Sequence, residues 1–493
     1  MLALAIGLVR CTRTPTAVVY VADSIITMEE QQARVEAIAV VDGKIKALGS
    51  LQEVRASLGG YEIEENYQFK DKVIMPGFIE PHLHPYIAGI LLPMKFITPH
   101  DWNMPGKQSI GVKSEAEYLE ALQQHESQMD DGEWLWSWGY HHYFHGQLSR
   151  EKLDAISSER PIFIWHRSFH EIYVNSAALK TLELEDNDHP QVDYAKGHFF
   201  ENGLYEIIPK INPELSDPFR YLGALKQARK IIHAGGITTV GDGAFGTLDF
   251  DKEYQSIWFS SWNRDASPFR YMILPDGKAM GKQLGNEAAL AFIENLTDKD
   301  TDRITVHRKQ VKLFADGAAY SQLMQLSEDY LDGHHGEWLM TPEKLEEAAW
   351  LYWQNDYQIH IHVNGDLALD NVMDMVERFQ KEHPRQDHRL TIHHFAYART
   401  DQAERLKQLG ILVQANPYYV WALANKYSEV GLGKGRAHAM VPLRSLYEQG
   451  VNIALHSDFT MAPAQPLLLA WAAVTRTTSE GNTVGEEHRL PLH

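Results

Sequence analysis

The 493-residue chain carries 66 acidic against 46 basic residues, a formal charge of −20, and 44% of it is apolar. That balance repels a nucleic-acid backbone or an anionic membrane surface, so neither is expected as a partner. One cysteine, Cys11, excludes an intramolecular disulfide and fits a reducing compartment, which points to the cytoplasm.

The opening "MLALAIGLVRC" is apolar without a preceding basic segment and reads as a first strand rather than a signal peptide. No run reaches the roughly 18 uninterrupted apolar residues of a membrane span. Next, "AVVYVADSIITM" and "ARVEAIAVVDGKIKALGS" alternate apolar and polar residues around a DG turn, predicting a small β-sandwich-like unit over residues 1–71. From residue 72 buried runs alternate with helical patterns, the texture of a parallel sheet built from βα units. Eight candidate strands fall at 72–82, 236–243, 268–275, 309–317, 357–366, 389–395, 410–416 and 451–458. Helices are predicted at 341–356, with Thr341 as N-cap, and at 400–410, capped by Thr400 and stopped by Gly410. The expected fold is α/β: a (β/α)8 TIM-type barrel over 72–493, with its chemistry at the C-terminal strand ends. Residues 95–230 are too many for one crossover and are expected to form an inserted subdomain, rich in aromatics and histidine.

His82 and His84, in "IMPGFIEPHLHP", are two residues apart on a strand, hence on one face, where two imidazoles can grip one ion. Lys312, in "VKLFADG", is a charge inside a strand expected to be buried. That is costly unless it is paired, or carboxylated into an anion able to bridge two cations. His362 ends the fifth predicted strand, with His360 on the same face. His394 ends the sixth, where alternation turns its neighbour His393 the other way, and Asp458 ends the eighth. Each alone reads equally as a structural residue; together they occupy one rim of the inferred barrel. His141, His142 and His145, like His334 and His335, have no carboxylate at matched spacing and read as substrate contacts or polar surface; His166 shares that reading. Trp134, Trp136 and Trp138 alternate as core residues of a strand do. Trp138 is also entertained as a substrate contact, together with Tyr320 and His170.

The motifs "PGFIEPHLHP", "VKLFADGA", "IHVNGDLALDNVMD" and "LHSD" resemble those of the amidohydrolase superfamily, in its YtcJ-like branch, amidohydrolase family 3. The resemblance covers nearly the whole chain. It implies a metal-dependent (β/α)8 hydrolase with one or two divalent ions, zinc foremost. His82 and His84 would bind the first ion and His362 and His394 the second. A carboxylated Lys312 would bridge them, and Asp458 would ligate the first and move protons. The implied reaction is hydrolysis of a non-peptide carbon–nitrogen bond in a small amide, N-formyl compound, cyclic amide or amidine. A deaminase or isomerase on the same scaffold, or an interaction protein that has lost catalysis, are the alternatives, and a homodimer is compatible with any of these. Three departures stand out. Glu80 replaces a more usual Asp, His393 replaces a usual Glu, and the chain stops at "EEHRLPLH" where relatives continue to complete the N-terminal unit, so that completion is expected to be missing.

Overall fold

The computed structural model describes residues 14–215, 217–264 and 266–492. The opening stretch read as a strand, and Cys11 with it, lies outside them. Two compact units divide after Gly77.

In the first, β1 (Thr16–Ile26), β2 (Arg34–Val41), β3 (Lys44–Gly49) and β4 (Glu62–Ile74) form one sheet in the order β3-β2-β1-β4. Alternation gathers Ala17, Val19, Ala37 and Ala39 against Val54 of the helix Leu51–Ser57, which Ser50 and Glu53 start with a capping box. The expected sandwich is thereby corrected. Among the described residues this unit is a single sheet with one helix, and Ile45, Tyr67 and Val73 on its strands are exposed. The predicted strand at 72–82 is also divided: Lys72–Ile74 finish β4, Pro76 and Gly77 interrupt the run, and a new strand starts at Phe78.

The second unit opens with β5 (Phe78–Leu83), then β6 (Lys95–Phe96), β7 (Trp102–Met104), β8 (Lys107–Ser109) and β9 (Leu135–Tyr140). β10 (Ile162–His166), β11 (Glu171–Val174), β12 (Val192–Asp193) and β13 (His198–Phe200) follow. Six of these make a mixed sheet, β12-β13-β11-β10-β9-β6. Leu135, Ile162 and Ile164 pack with Tyr118 and Leu122 of the helix Glu115–Glu126, whereas Trp136, Trp138, Phe163 and Trp165 join the main core.

The parallel strands continue with β14 (Ile237–Phe245), β15 (Arg270–Pro275), β16 (Ile304–Val306) and β17 (Gln310–Phe314). The last are β18 (Gln358–Val363), β19 (Thr391–His394), β20 (Leu412–Ala415) and β21 (Ile453–Leu455). They form two parallel sheets, β16-β15-β14-β5 and β17-β18-β19-β20-β21, whose ladders do not run unbroken round a closed barrel. The chain turns at 307–309, so that β16 extends the first sheet and β17 begins the second. At one seam an isolated bridge joins Asp276 to Lys312. At the other, the Asp458 N–H donates to the His82 carbonyl at 3.1 Å and the His84 N–H to that of Phe459 at 2.7 Å.

Thr341 caps the helix Pro342–Gln354 as expected. The helix Gln402–Gln408 starts later than predicted and has no Thr400 cap; Gln402 Oε1 instead accepts the Arg399 N–H at 2.9 Å, and Gly410, at φ +70°, follows its end. No described helix is long and apolar enough to cross a membrane.

Candidate metal centre

The C-terminal ends of β5, β17, β18 and β19 and the segment after β21 bring His82, His84, Lys312, His362, His394 and Asp458 to one cavity of about 490 Å³. His84 Nε2 lies 3.1 Å from His82 Nε2 and 3.0 Å from Asp458 Oδ1, which is itself 3.4 Å from His82 Nε2. Asp242, on β14, brings Oδ1 to 3.7 Å from His84 Nδ1. The His362 and His394 rings are 4.3 Å apart between centroids, with Tyr419 Oη 3.4 Å from His394 Nδ1. Asn364 Nδ2 donates to His362 Nε2 at 2.8 Å.

One expectation is overturned here. Alternation was expected to point His393 away from the site, yet its Nδ1 lies 2.6 Å from His82 Nδ1 and 2.9 Å from Lys312 Nζ, and its Nε2 lies 2.8 Å from His360 Nδ1. His393 pairs in register with His362 and is the inward residue of β19; His394 enters as well because its φ of +76° breaks the alternation. Asp458 has φ +58°. Left-handed backbone at such residues costs about 1–3 kcal/mol each and tends to be kept where geometry serves function.

The electrostatics suit a cation. Burial holds His82, His362, His393 and His394 well below the ordinary imidazole range, so they present lone pairs near neutrality. Burial also pulls the Lys312 ammonium down to about 7, against the nearby carboxylates of Asp458 and Asp276. His84 behaves oppositely. In spite of burial, Asp242 and Asp458 hold its imidazole up to about 9, so the two carboxylates call for positive charge at this point. Burial likewise opposes ionisation of Asp458, but His84, whose Nε2 lies 3.0 Å from Oδ1, and His456 keep it below the usual carboxylate range. Imidazoles converging with a buried carboxylate are a fitting donor set for a zinc-like ion.

Glu80, the residue where an Asp is more usual, accepts the Ser457 N–H on Oε1 at 2.8 Å and so ties β5 to the Asp458 segment. Tyr320 and His170 line the same cavity. Trp138 does not. It is fully buried against Phe96 and Trp102, because β9 turns that face into the core. Trp138→Ala is therefore expected to cost about 3–5 kcal/mol of stability with KM unchanged, as read by thermal unfolding and kinetics. Asp242, Lys278 and Tyr419, not singled out in the sequence, also line the cavity. Asp242 falls near the end of the strand predicted at 236–243, with no motif to mark it, and Lys278 stands just beyond the end of β15. His334 is engaged elsewhere, 2.5 Å from Asp332 Oδ1 and 2.8 Å from the Gln322 carbonyl.

A family model described as the amidohydrolase family matches residues 69–493. YtcJ of Bacillus subtilis (strain 168), named as an amidohydrolase, is 25% identical over 95% of this chain and 86% of its own. An N-substituted formamide deformylase of Arthrobacter pascens is 24% identical over 92% of this chain and 83% of its own. The crystal structure of an uncharacterized metal-dependent hydrolase from Pyrococcus horikoshii OT3 shares the fold, with a TM-score of 0.67 and 21% identity over 96% of this chain and 88% of that one. The chain belongs to the amidohydrolase family and is a hydrolase of carbon–nitrogen bonds.

Proposed function

We propose that the substrate is a small N-substituted amide, N-formyl compound, cyclic amide or amidine, cleaved where His84 and Asp458 meet. The observation that carries this reading is Asp458 Oδ1, buried and within 3.4 Å of Nε2 of both His82 and His84. In the same reading the two parallel sheets are halves of a closed (β/α)8 barrel, with 95–230 an inserted subdomain beside its rim. The single cysteine favours the cytoplasm.

His82, His84 and Asp458 would hold one divalent ion, zinc by its taste for imidazole and carboxylate, and His362 and His394 a second, with a carboxylated Lys312 between them. When bound, such an ion supplies Lewis-acid polarisation of the scissile group and eases proton loss from water. Asp458, already ionised, takes the water proton and returns it to the departing nitrogen, which leaves as a neutral amine. His393 holds His82 and Lys312 in position through Nδ1. Burial favours the free amine of Lys312 over the ammonium, and that amine can add to CO2 and release a proton to become a carbamate. Trp165, Phe169, Leu204, Ile208 and Leu248 give the cavity an apolar wall, which supports an apolar nitrogen substituent. Tyr320 and His170 are the proposed substrate contacts.

The test is chelation followed by reloading with zinc, cobalt or manganese, assayed on N-formyl amines, N-acyl amines and cyclic amides. Turnover should vanish with the metal and return on reloading. Protein that keeps its rate after complete metal removal would sink the reading.

A further inference from the structure

A line of hydrogen-bonding side chains runs along the parallel strands from the centre to their opposite ends. Gln310 opens β17 and, with Gln358 at the start of β18, lines a separate cavity of about 480 Å³. Gln310 pairs in register with Gln358, Lys312 with His360, and His362 with His393, so alternation sets Gln310 one layer below Lys312 and His360 one layer below His362. Gln310 Oε1 lies 3.0 Å from His360 Nε2, His360 Nδ1 lies 2.8 Å from His393 Nε2, and His393 Nδ1 lies 2.6 Å from His82 Nδ1. The three imidazoles are buried, and Gln310 is half-buried at the far end.

The chemistry of the two ends gives this line a direction. Burial keeps all three imidazoles neutral, so each has one N–H and one lone pair. The Gln310 carbonyl oxygen can only accept, which puts the His360 proton on Nε2 and leaves a lone pair on Nδ1. His393 must then donate from Nε2, and its own lone pair falls on Nδ1. The other end agrees independently, because Lys312 Nζ, an N–H donor, stands 2.9 Å from that same Nδ1. Two lone pairs cannot face each other at 2.6 Å, so His82 Nδ1 carries its proton toward His393 and shares the acceptor with Lys312. His82 Nε2 is left with a lone pair, and this is the atom that lies 3.1 Å from His84 Nε2 and 3.4 Å from Asp458 Oδ1.

We infer that Gln310, acting through His360 and His393, is a positioning residue for His82: its amide oxygen, at the opposite ends of the strands, decides that Nε2 is the bare nitrogen offered to a cation. This role rests on His82 ligating the ion of the proposed centre. A metal-ligating imidazole ordinarily has its other N–H fixed by a carboxylate or a carbonyl. Here His393 stands in that place, and an imidazole, able to donate or accept at either nitrogen, must itself be oriented from further away. The line ends properly only on a group with no such choice, which the Gln310 oxygen is. A donor in its place would reverse every bond along the line, put a proton on His82 Nε2 and close that nitrogen to the ion.

The test measures zinc affinity of the full-length protein by competition with a chelator, with bound metal counted by elemental mass spectrometry and folding checked by far-UV circular dichroism. Gln310→Leu should hold zinc about tenfold or more weakly than wild type. Gln310→Glu, which keeps an acceptor of the same shape, should hold it as wild type does. His360→Phe should weaken binding at least as much as Gln310→Leu, and combining the two should add nothing, because the line is already cut. An His82→Asn protein marks which ion is concerned. Wild-type affinity in Gln310→Leu, no recovery in Gln310→Glu, or a full second loss in the double variant overturns the inference. If Gln310→Leu does not fold, wild-type affinity in His360→Phe overturns it instead. Wild-type protein that binds no zinc overturns the ligand role of His82 and this inference with it, whereas zinc held equally by wild type and Gln310→Leu removes only the part played by Gln310.

Discussion

Asp458→Asn is expected to lower kcat by about three orders of magnitude while most of the metal stays bound and KM moves little. The substitution is nearly isosteric, and its amide oxygen can still face His82 and His84. What disappears is a carboxylate that His84 and His456 keep ionised against burial, and with it the group that takes the proton from water and returns it to the leaving nitrogen. Steady-state kinetics with a parallel metal analysis separate loss of proton transfer from loss of ligation. Comparable loss of metal and rate would assign Asp458 to ligation alone. The same ionisation has a stability signature. A carboxylate whose pKa is lowered on folding contributes stability above its unfolded pKa and loses it as pH falls through the folded one, so the variant's stability should fall less steeply at the acid end.

Lys312→Ala is expected to lower kcat/KM by about a hundredfold or more, and Lys312→Met to do the same. The pair is needed because Lys312 is fully buried, so truncation to Ala also opens a cavity. Met keeps the bulk of the stem and removes only the amine, which isolates chemistry from packing. If the amine acts as a carbamate, native mass spectrometry of wild type should show an increment of one CO2 that both variants lack. Short carboxylic acids should then restore part of the Lys312→Ala rate by occupying the space left behind. Full activity in Lys312→Met would remove Lys312 from the mechanism.

Strand periodicity was enough to find eight of the nine strands of the two parallel sheets, missing only the three-residue β16, and to put His82, His84, Lys312, His362, His394 and Asp458 at one set of strand ends, because strand alternation and the site's location at C-terminal ends are both local regularities. What it misjudged were departures from those regularities. The left-handed backbone at His394 lets two consecutive residues enter one site, and alternation has no way to announce it. Asp242 lay inside a predicted strand, 236–243, but nothing in that strand's pattern marked it as facing the site; the structure carries the strand on to Phe245. Trp138 follows the same every-other-residue rule whether its face meets a substrate or the core, and only the packing of the six-stranded sheet decides between them. The line from Gln310 through His360 to His393 depends on the parallel registers of β17, β18 and β19, which no one segment encodes alone. The division at Gly77 was blurred because β4 and β5 are nearly continuous in sequence and differ only by the Pro76–Gly77 interruption.

The seams between the two parallel sheets carry a further consequence. Main-chain bonding is thin at both, an isolated bridge at Asp276 and Lys312 on one side and a few bonds from the His84 and Asp458 segments on the other. Four of the side chains proposed as ligands, His82, His84, Lys312 and Asp458, stand on those same joints. An ion gripped there acts as a clasp, so part of its binding free energy is folding free energy, and the amides at the joints are the first to open once it is gone. Catalysis and cohesion are then drawn from one set of residues, and any change at either joint is felt twice, in turnover and in the cooperativity of unfolding.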